Sequence, residues 1–173
     1  MKTLPKPKTM NTEIERKFLI KMPDAGQLAR LDGCVVTLIR QTYLFNDNGS
    51  ERVRARMYGS KTVYTHTTKQ RITFLSAYED EQVIDRSEYL SLLKRRDPER
   101  NDIYKTRLAV PFDGHVFEVD IYPFWRRQAV MEVELSGEGE SVVFPPFIEI
   151  IREVSDDRSY SNKSLSKKIP DED

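Results

Sequence analysis

The 173-residue chain carries 28 Lys and Arg against 28 Asp and Glu, for a formal charge of zero, with 38% hydrophobic and 32% charged residues. That length fits a single domain with a sizeable core, and the composition excludes general disorder. Charge neutrality argues against a nucleic-acid partner, whose footprint is a basic excess. No stretch approaches the roughly 18 apolar residues of a membrane span. Cys34 is the single cysteine, which excludes a disulfide framework or thiol metal cluster. The opening MKTLPKPKTMN lacks the apolar run of a secretory signal, so a reducing cytoplasm is the expected location.

Residues 1–11, with Pro5 and Pro7 and no apolar spacing, read as a loose leader. A first strand is predicted over 12–20, and a short helical turn after Pro23-Asp24. CVVTLIRQTYLF reads as a second strand, turned by NDNG. Strands at 51–58 and 61–69 flank the hairpin YGSK, and QRITFLSA forms the wide end of a further hairpin leading into YEDEQVI. DRSEYLSLLKRR is predicted helical, with Asp85 at its cap, Glu88 three residues on, and Tyr89, Leu92 and Leu93 as its apolar stripe.

Three more strands follow in DIYKTRLAV, HVFEVDIY and QAVMEVEL. Pro145 and Pro146 then introduce FIEIIREV, whose apolar spacing predicts a second helix. The stretch SYSNKSL suggests one small helix, and 167–173 reads as a charged tail. About eight strands in hairpin order, with few helices and no internal repeat, give a mainly β chain whose domain spans 12–166. Eight antiparallel strands are enough to close a barrel.

Side chains at i and i+2 of a strand share a face, about 6.6 Å apart. EIERK therefore aligns Glu13, Glu15 and Lys17, and RVRAR aligns Arg52, Arg54 and Arg56. KTR pairs Lys105 with Arg107, EDE pairs Glu79 with Glu81, EVD pairs Glu118 with Asp120, and EVE pairs Glu132 with Glu134. Lys69 ends the strand VYTHTTK. Opposite faces are largely apolar, with Ile14, Phe18, Val53, Met57, Leu108, Phe117, Val119, Met131 and Val133.

A sheet with one wet face would show such alternation. A wet face, however, mixes its charges, whereas three aligned arginines and three like-charged acidic pairs cost Coulomb energy without partners. The expectation is a barrel with a polar lumen, its exterior covered in part by helices near 86–97 and 145–154. Dimerisation through a barrel wall would cover more. Basic strands would suit a polyanion, and neighbouring carboxylates a hard divalent cation.

At these residues the chain resembles the CYTH family, the triphosphate tunnel metalloenzymes. The opening E-x-E-x-K is met by Glu13, Glu15 and Lys17, and the basic signature by Arg52, Arg54, Arg56 and Lys69. EDEQVI, KTR, FEVDIY, MEVEL and the terminal Tyr160, Asn162 and Leu165 follow in order, so the resemblance covers about 12–166. Ala77 stands where the family often has a basic residue, and Ile151 where it often has Gly.

The resemblance implies an antiparallel tunnel that grips a linear triphosphate and holds Mg2+ or Mn2+, one ion or two. On this basis Glu13, Glu15, Asp120, Glu132 and Glu134 are the expected metal set. Lys17, Arg52, Arg54, Arg56, Lys69, Glu79, Glu81, Lys105 and Arg107 form the substrate site, with Glu15, Lys17 and Arg54 central to catalysis. Hydrolysis of inorganic tripolyphosphate is the leading expectation, because the short chain leaves no separate nucleoside-recognition domain. Thiamine-triphosphatase, nucleoside triphosphatase, adenylate cyclase and a non-enzymatic polyphosphate-binding barrel are the alternatives, since a shared fold does not choose a substrate. Tyr43 would line the tunnel or pack beside it. His66, His115, Trp125 and Cys34 are expected in packing or surface roles.

Overall fold

The computed structural model describes residues 11–173; the predicted leader therefore lies outside the described residues, except that Asn11 opens the first strand. Nine strands form one antiparallel sheet: β1 (Asn11–Lys21), β2 (Val35–Tyr43), β3 (Ser50–Tyr58), β4 (Lys61–Arg71), β5 (Ser76–Ile84), β6 (Ile103–Phe112), β7 (His115–Ile121), β8 (Gln128–Glu134) and β9 (Ile150–Glu153). Their order is β5-β4-β3-β2-β6-β7-β8-β1-β9, and a further β5–β1 pairing closes strands β1–β8 into a barrel.

The closure depends on a division of labour along β1. Its first residues pair with β5, from Asn11 opposite Glu79 to Ile14 opposite Ser76. Its later residues, Phe18 to Ile20, leave β5 and pair with β9 instead. All of β1 from Glu15 onward is also paired with β8.

The chain turns where its residues allow it. Asp113 and Gly114 both adopt positive φ, 47° and 76°, joining β6 to β7 in a tight hairpin. Gly49 sits at φ 115°, where an added Cβ would meet the Lys69 carbonyl at 2.9 Å. Helix α1 (Ala25–Ala29) is capped by Asp24, which accepts from the Gln27 N–H at 3.0 Å. Helix α2 (Arg86–Leu92) begins at Asp85, which accepts from the Glu88 N–H at 2.8 Å, and runs into a 3-10 turn over Leu93–Arg95. Its Tyr89 packs with Leu44, Val53 and Ile84 on the outer wall of β3–β5.

The predicted helix in FIEIIREV is not formed. The segment after Pro145 runs irregularly and then extends as β9. Ile148 and Ile150 are two apart as well as matching helical spacing, and a short apolar run does not separate the two periods. The edge of β1, unpaired beyond β5, supplies the hydrogen-bond partners that decide the issue. Ile148, Phe144 and Val142 then cover Phe18, Phe117, Met131 and Val133 on the outer wall of β1, β7 and β8.

A second apolar cluster closes one end of the barrel. It joins Leu19, Ile103, Tyr122, Trp125 and Val130 to Tyr160 and to Leu165 of α3 (Asn162–Leu165). Residues 170–173 lie along this end. The Trp125 indole N–H donates to the Pro170 carbonyl at 3.1 Å, and the Arg126 and Arg127 N–H groups donate to the Glu172 carboxylate. No helix among the described residues is long and apolar enough to cross a membrane.

Candidate active site

Strand alternation sends one row of side chains per strand into the lumen, where they line a single cavity of about 1370 Å³. Every predicted site residue except Asp120 lines it directly. Thirteen of its lining residues are Lys or Arg and nine are Asp or Glu, so a neutral chain encloses a net positive cavity.

On one wall the arginine row of β3 faces the acids of β5. Arg54 and Arg56 both engage Glu81, with Arg56 Nη2 at 2.8 Å from Oε1 and Thr67 donating to Oε2 at 2.9 Å. Arg52 lies 3.6 Å from Glu79. Lys69 gathers three carboxylates: it donates to Glu13 and stands 3.8 Å from Glu15 and 3.4 Å from Glu79. On the other wall Lys17 pairs with Glu132 at 3.2 Å, and Arg107 reaches Glu118 and Glu132.

Asp120 lies behind this wall with no exposure at all. It accepts from Lys105 Nζ at 2.6 Å and from Arg107 Nε and Nη2, each at 2.7 Å. Two cations thus share one buried carboxylate. Among the expected metal residues, Asp120 is the one whose two oxygens both accept short hydrogen bonds from basic side chains. Glu134, by contrast, is exposed at the cavity edge, opposite Glu15 in register.

The electrostatics leave this set unbalanced in both signs. Burial, then the charges of Arg52 and Arg56, pull Arg54 down to about 9. Burial and Arg107 bring Lys105 down to about 7, although Asp120 pulls the other way. Burial and the charge of Glu132 push Glu15 up to about 7. Burial works against the Glu132 charge too, but Lys17, Arg107 and Lys105 overcome it and hold that carboxyl well below its usual range. Arg54 and Lys105 would be relieved by an added anion, and Glu15 by an added cation.

Hydrogen bonding points the same way. The Nε–H groups of Arg52, Arg54 and Arg56 are all buried without an acceptor, as is the Thr65 hydroxyl opposite Arg54 in register. Buried donors normally find partners, so four converging orphans describe a surface shaped for an external acceptor. Among the described residues no three acidic, His or Cys side chains form a ready metal cage. Lys17 and Lys69 stand among the carboxylates instead.

Several lining residues escaped the strand patterns. Arg71 reaches the lumen one step beyond the predicted end of β4 and is the cross-strand neighbour of Ala77, so β4 brings a cation to that patch. Tyr43 lines the cavity and its hydroxyl accepts from Gln41 at 2.7 Å. Arg100, Arg158, Lys163, Lys167 and Lys168 form a basic rim from loops, a 3-10 turn over Arg158–Tyr160 and the single turn of α3, all too short to carry a face periodicity. His66 binds Glu51, His115 binds Glu140, and Trp125 packs in an aromatic cluster, all away from the cavity lining.

No protein-family profile matches the chain. The chain is 33% identical over 161 residues to an inorganic triphosphatase of Nitrosomonas europaea, covering 92% of this chain and 99% of that protein. The chain belongs to the inorganic triphosphatase family. A solved structure named inorganic triphosphatase NE1496 aligns with a TM-score of 0.54 and 30% identity, covering 94% of this chain and 99% of its own. The PH1819 protein of Pyrococcus horikoshii aligns with a TM-score of 0.57 at 16% identity, covering 73% of this chain and 80% of its own, and shares the fold. Membership of the triphosphatase family agrees with a charged lumen whose arginine row keeps three Nε–H donors without acceptors.

Proposed function

We propose that this chain is a triphosphate tunnel metalloenzyme of the CYTH type, a divalent-metal-dependent hydrolase whose preferred substrate is inorganic tripolyphosphate. The observation that carries the reading is the Arg52, Arg54 and Arg56 row, with its three buried Nε–H donors unmatched by any acceptor. A phosphate chain offers acceptors all along its length, and guanidinium groups bind phosphate oxygens in paired, charge-assisted bonds. Lys17, Lys69, Lys105 and Arg107 extend the clamp. Glu79 and Glu81 hold its arginines extended across the lumen before substrate arrives.

The carboxylates fit a hard divalent cation. Glu13, Glu15, Glu132 and Glu134 converge from two adjacent strands, and burial plus like charge raises both Glu13 and Glu15. These four would hold Mg2+ or Mn2+, with Asp120 available as a fifth oxygen donor if Lys105 and Arg107 turn to substrate. When bound, the ion neutralises phosphate oxygens and makes a coordinated water more acidic.

The protein's own part is alignment and charge stabilisation, which is most of what phosphoryl transfer requires. The arginine row fixes the chain in line. A water oxygen bonds to the terminal phosphorus as the anhydride P–O bond breaks. The leaving diphosphate keeps the electron pair, and the water proton passes to one of the carboxylates of Glu13, Glu15, Glu132 and Glu134. Arg54 and Lys17 stabilise charge that develops on the transferred group and the leaving diphosphate.

A phosphate-release panel tests the reading. With Mg2+ or Mn2+, tripolyphosphate should be hydrolysed in preference to thiamine triphosphate and ATP, and a chelator should abolish turnover. Cyclic AMP as the product from ATP, or binding of tripolyphosphate with no phosphate release under either ion, would overturn it.

A further inference from the structure

The cavity continues past the arginine row, and its two ends differ in chemistry. At about 1370 Å³ it exceeds the roughly 300–1,000 Å³ of ordinary small-molecule pockets. The row from Arg52 to Arg56 spans four strand residues, roughly 13 Å, which accommodates the whole of a triphosphate. Beyond Arg56 the lining on β2 and β3 consists of Val35 and Tyr58. Neither side chain offers a positive charge to a further phosphate.

Beyond Arg52, the near end is lined by Arg100, Arg158, Lys163, Lys167 and Lys168, against two acids, Asp47 and Asp171. Lys163 is joined to the entrance of β3, its ammonium donating to the Gly49 carbonyl at 2.5 Å. Gly49 lies three residues before Arg52, roughly 10 Å along an extended strand. Arg100 and Lys167 are engaged by Asp97 and Glu99. Arg158 and Lys168 are exposed and have no acidic partner among the described residues. The field at this rim is positive enough that burial, Arg100 and Arg158 together depress the Lys163 ammonium.

We propose that this rim is a binding subsite for the remaining phosphates of linear polyphosphate longer than three units, so that such chains enter end-on with their tails across Arg158, Lys163 and Lys168. The proposal rests on the triphosphate reading of the arginine row and adds chain length to it. A nucleic-acid backbone fits less well. Single strands are held by stacking bases on aromatic side chains, and the aromatic at this end among the described residues, Tyr43, is itself buried.

Calorimetric binding in the presence of a chelator tests the subsite independently of turnover. Tripolyphosphate, short-chain linear polyphosphate and a single-stranded oligonucleotide are titrated into the full chain. The same titrations are run on Arg158→Gln/Lys168→Gln and on Lys61→Gln/Lys94→Gln, which removes equal charge away from the cavity. Linear polyphosphate should bind the parent about tenfold more tightly than tripolyphosphate, and the rim pair should reduce that ratio to about one. The control pair should retain it. Equal affinity for the two phosphates in the parent, an undiminished ratio in the rim pair, an equal loss in the control pair, or tighter oligonucleotide binding would each overturn the subsite. A lack of tripolyphosphate hydrolysis with metal, alongside intact chain-length dependence, would instead overturn the enzymatic reading alone.

Discussion

Replacing Asp120 by Asn tests how the clamp is held. Asp120 and the Lys105 ammonium are essentially inaccessible, and Arg107 closes the group from above with two hydrogen bonds of 2.7 Å. The substitution keeps the shape but leaves two buried cations without a counter-charge. Breaking a buried pair by removing one partner costs about 3–5 kcal/mol, and in a domain of this size each kcal/mol moves the midpoint about 2–4 °C. Thermal unfolding in chelator should therefore show Asp120→Asn lower than the parent by roughly 6–20 °C. Added phosphate should restore the variant more than it raises the parent, because an anion replaces the missing charge.

Lys105→Met provides the opposing case. Lys105 is already depressed to about 7 by burial and Arg107, so in the folded state it binds its proton less readily than the unfolded chain does. Its removal leaves the Asp120–Arg107 pair intact and should cost less than about 1 kcal/mol, since an apolar side chain of similar volume escapes the desolvation penalty. Equal losses in the two variants would refute the unequal sharing of Asp120 between Lys105 and Arg107.

Arg54→Ala should lower kcat/KM for tripolyphosphate roughly 10- to 100-fold, the value of about 1.5–3 kcal/mol for hydrogen bonds to a charged group. The midpoint of unfolding should hardly move, because the change also relieves repulsion from Arg52 and Arg56; unchanged kinetics in the folded variant would remove Arg54 from the clamp. Glu134→Gln should raise the metal concentration needed for half-maximal turnover about tenfold or more, and an identical metal titration would reject its ligand role. Glu81 gives an acid-side signature: Arg54 and Arg56 overcome burial and hold it at about 2, against an ordinary 4.5. The stability it contributes is fully present above about 4.5 and is lost as pH falls toward 2, so Glu81→Gln should flatten the pH dependence of the midpoint in that window. A parallel acid profile in the variant would show that Glu81 is not held by the arginines.

The sequence alone determined what alternates. Period-two spacing assigned the lumen rows of β1, β3, β5, β6, β7 and β8, because a strand leaves a side chain no choice but one face or the other. It placed Glu13, Arg54 and Glu132 on inward faces before any partner was known, and it located the caps at Asp24 and Asp85. Tertiary structure decided everything that depends on which strands meet. The segment 147–154 had apolar spacing compatible with either period, and the free edge of β1 made it a strand. Arg71 became a lumen residue because β4 runs on past Lys69, and Arg158 and Lys168 joined the cavity from a 3-10 turn and a loop with no periodic signal. Register, which arises from long-range pairing, gave Asp120 both Lys105 and Arg107 and left the Nε–H groups of the arginine row without acceptors. Local spacing carries the face of a residue, but charge pairing falls off within a few ångströms and is fixed only when distant strands close on one another.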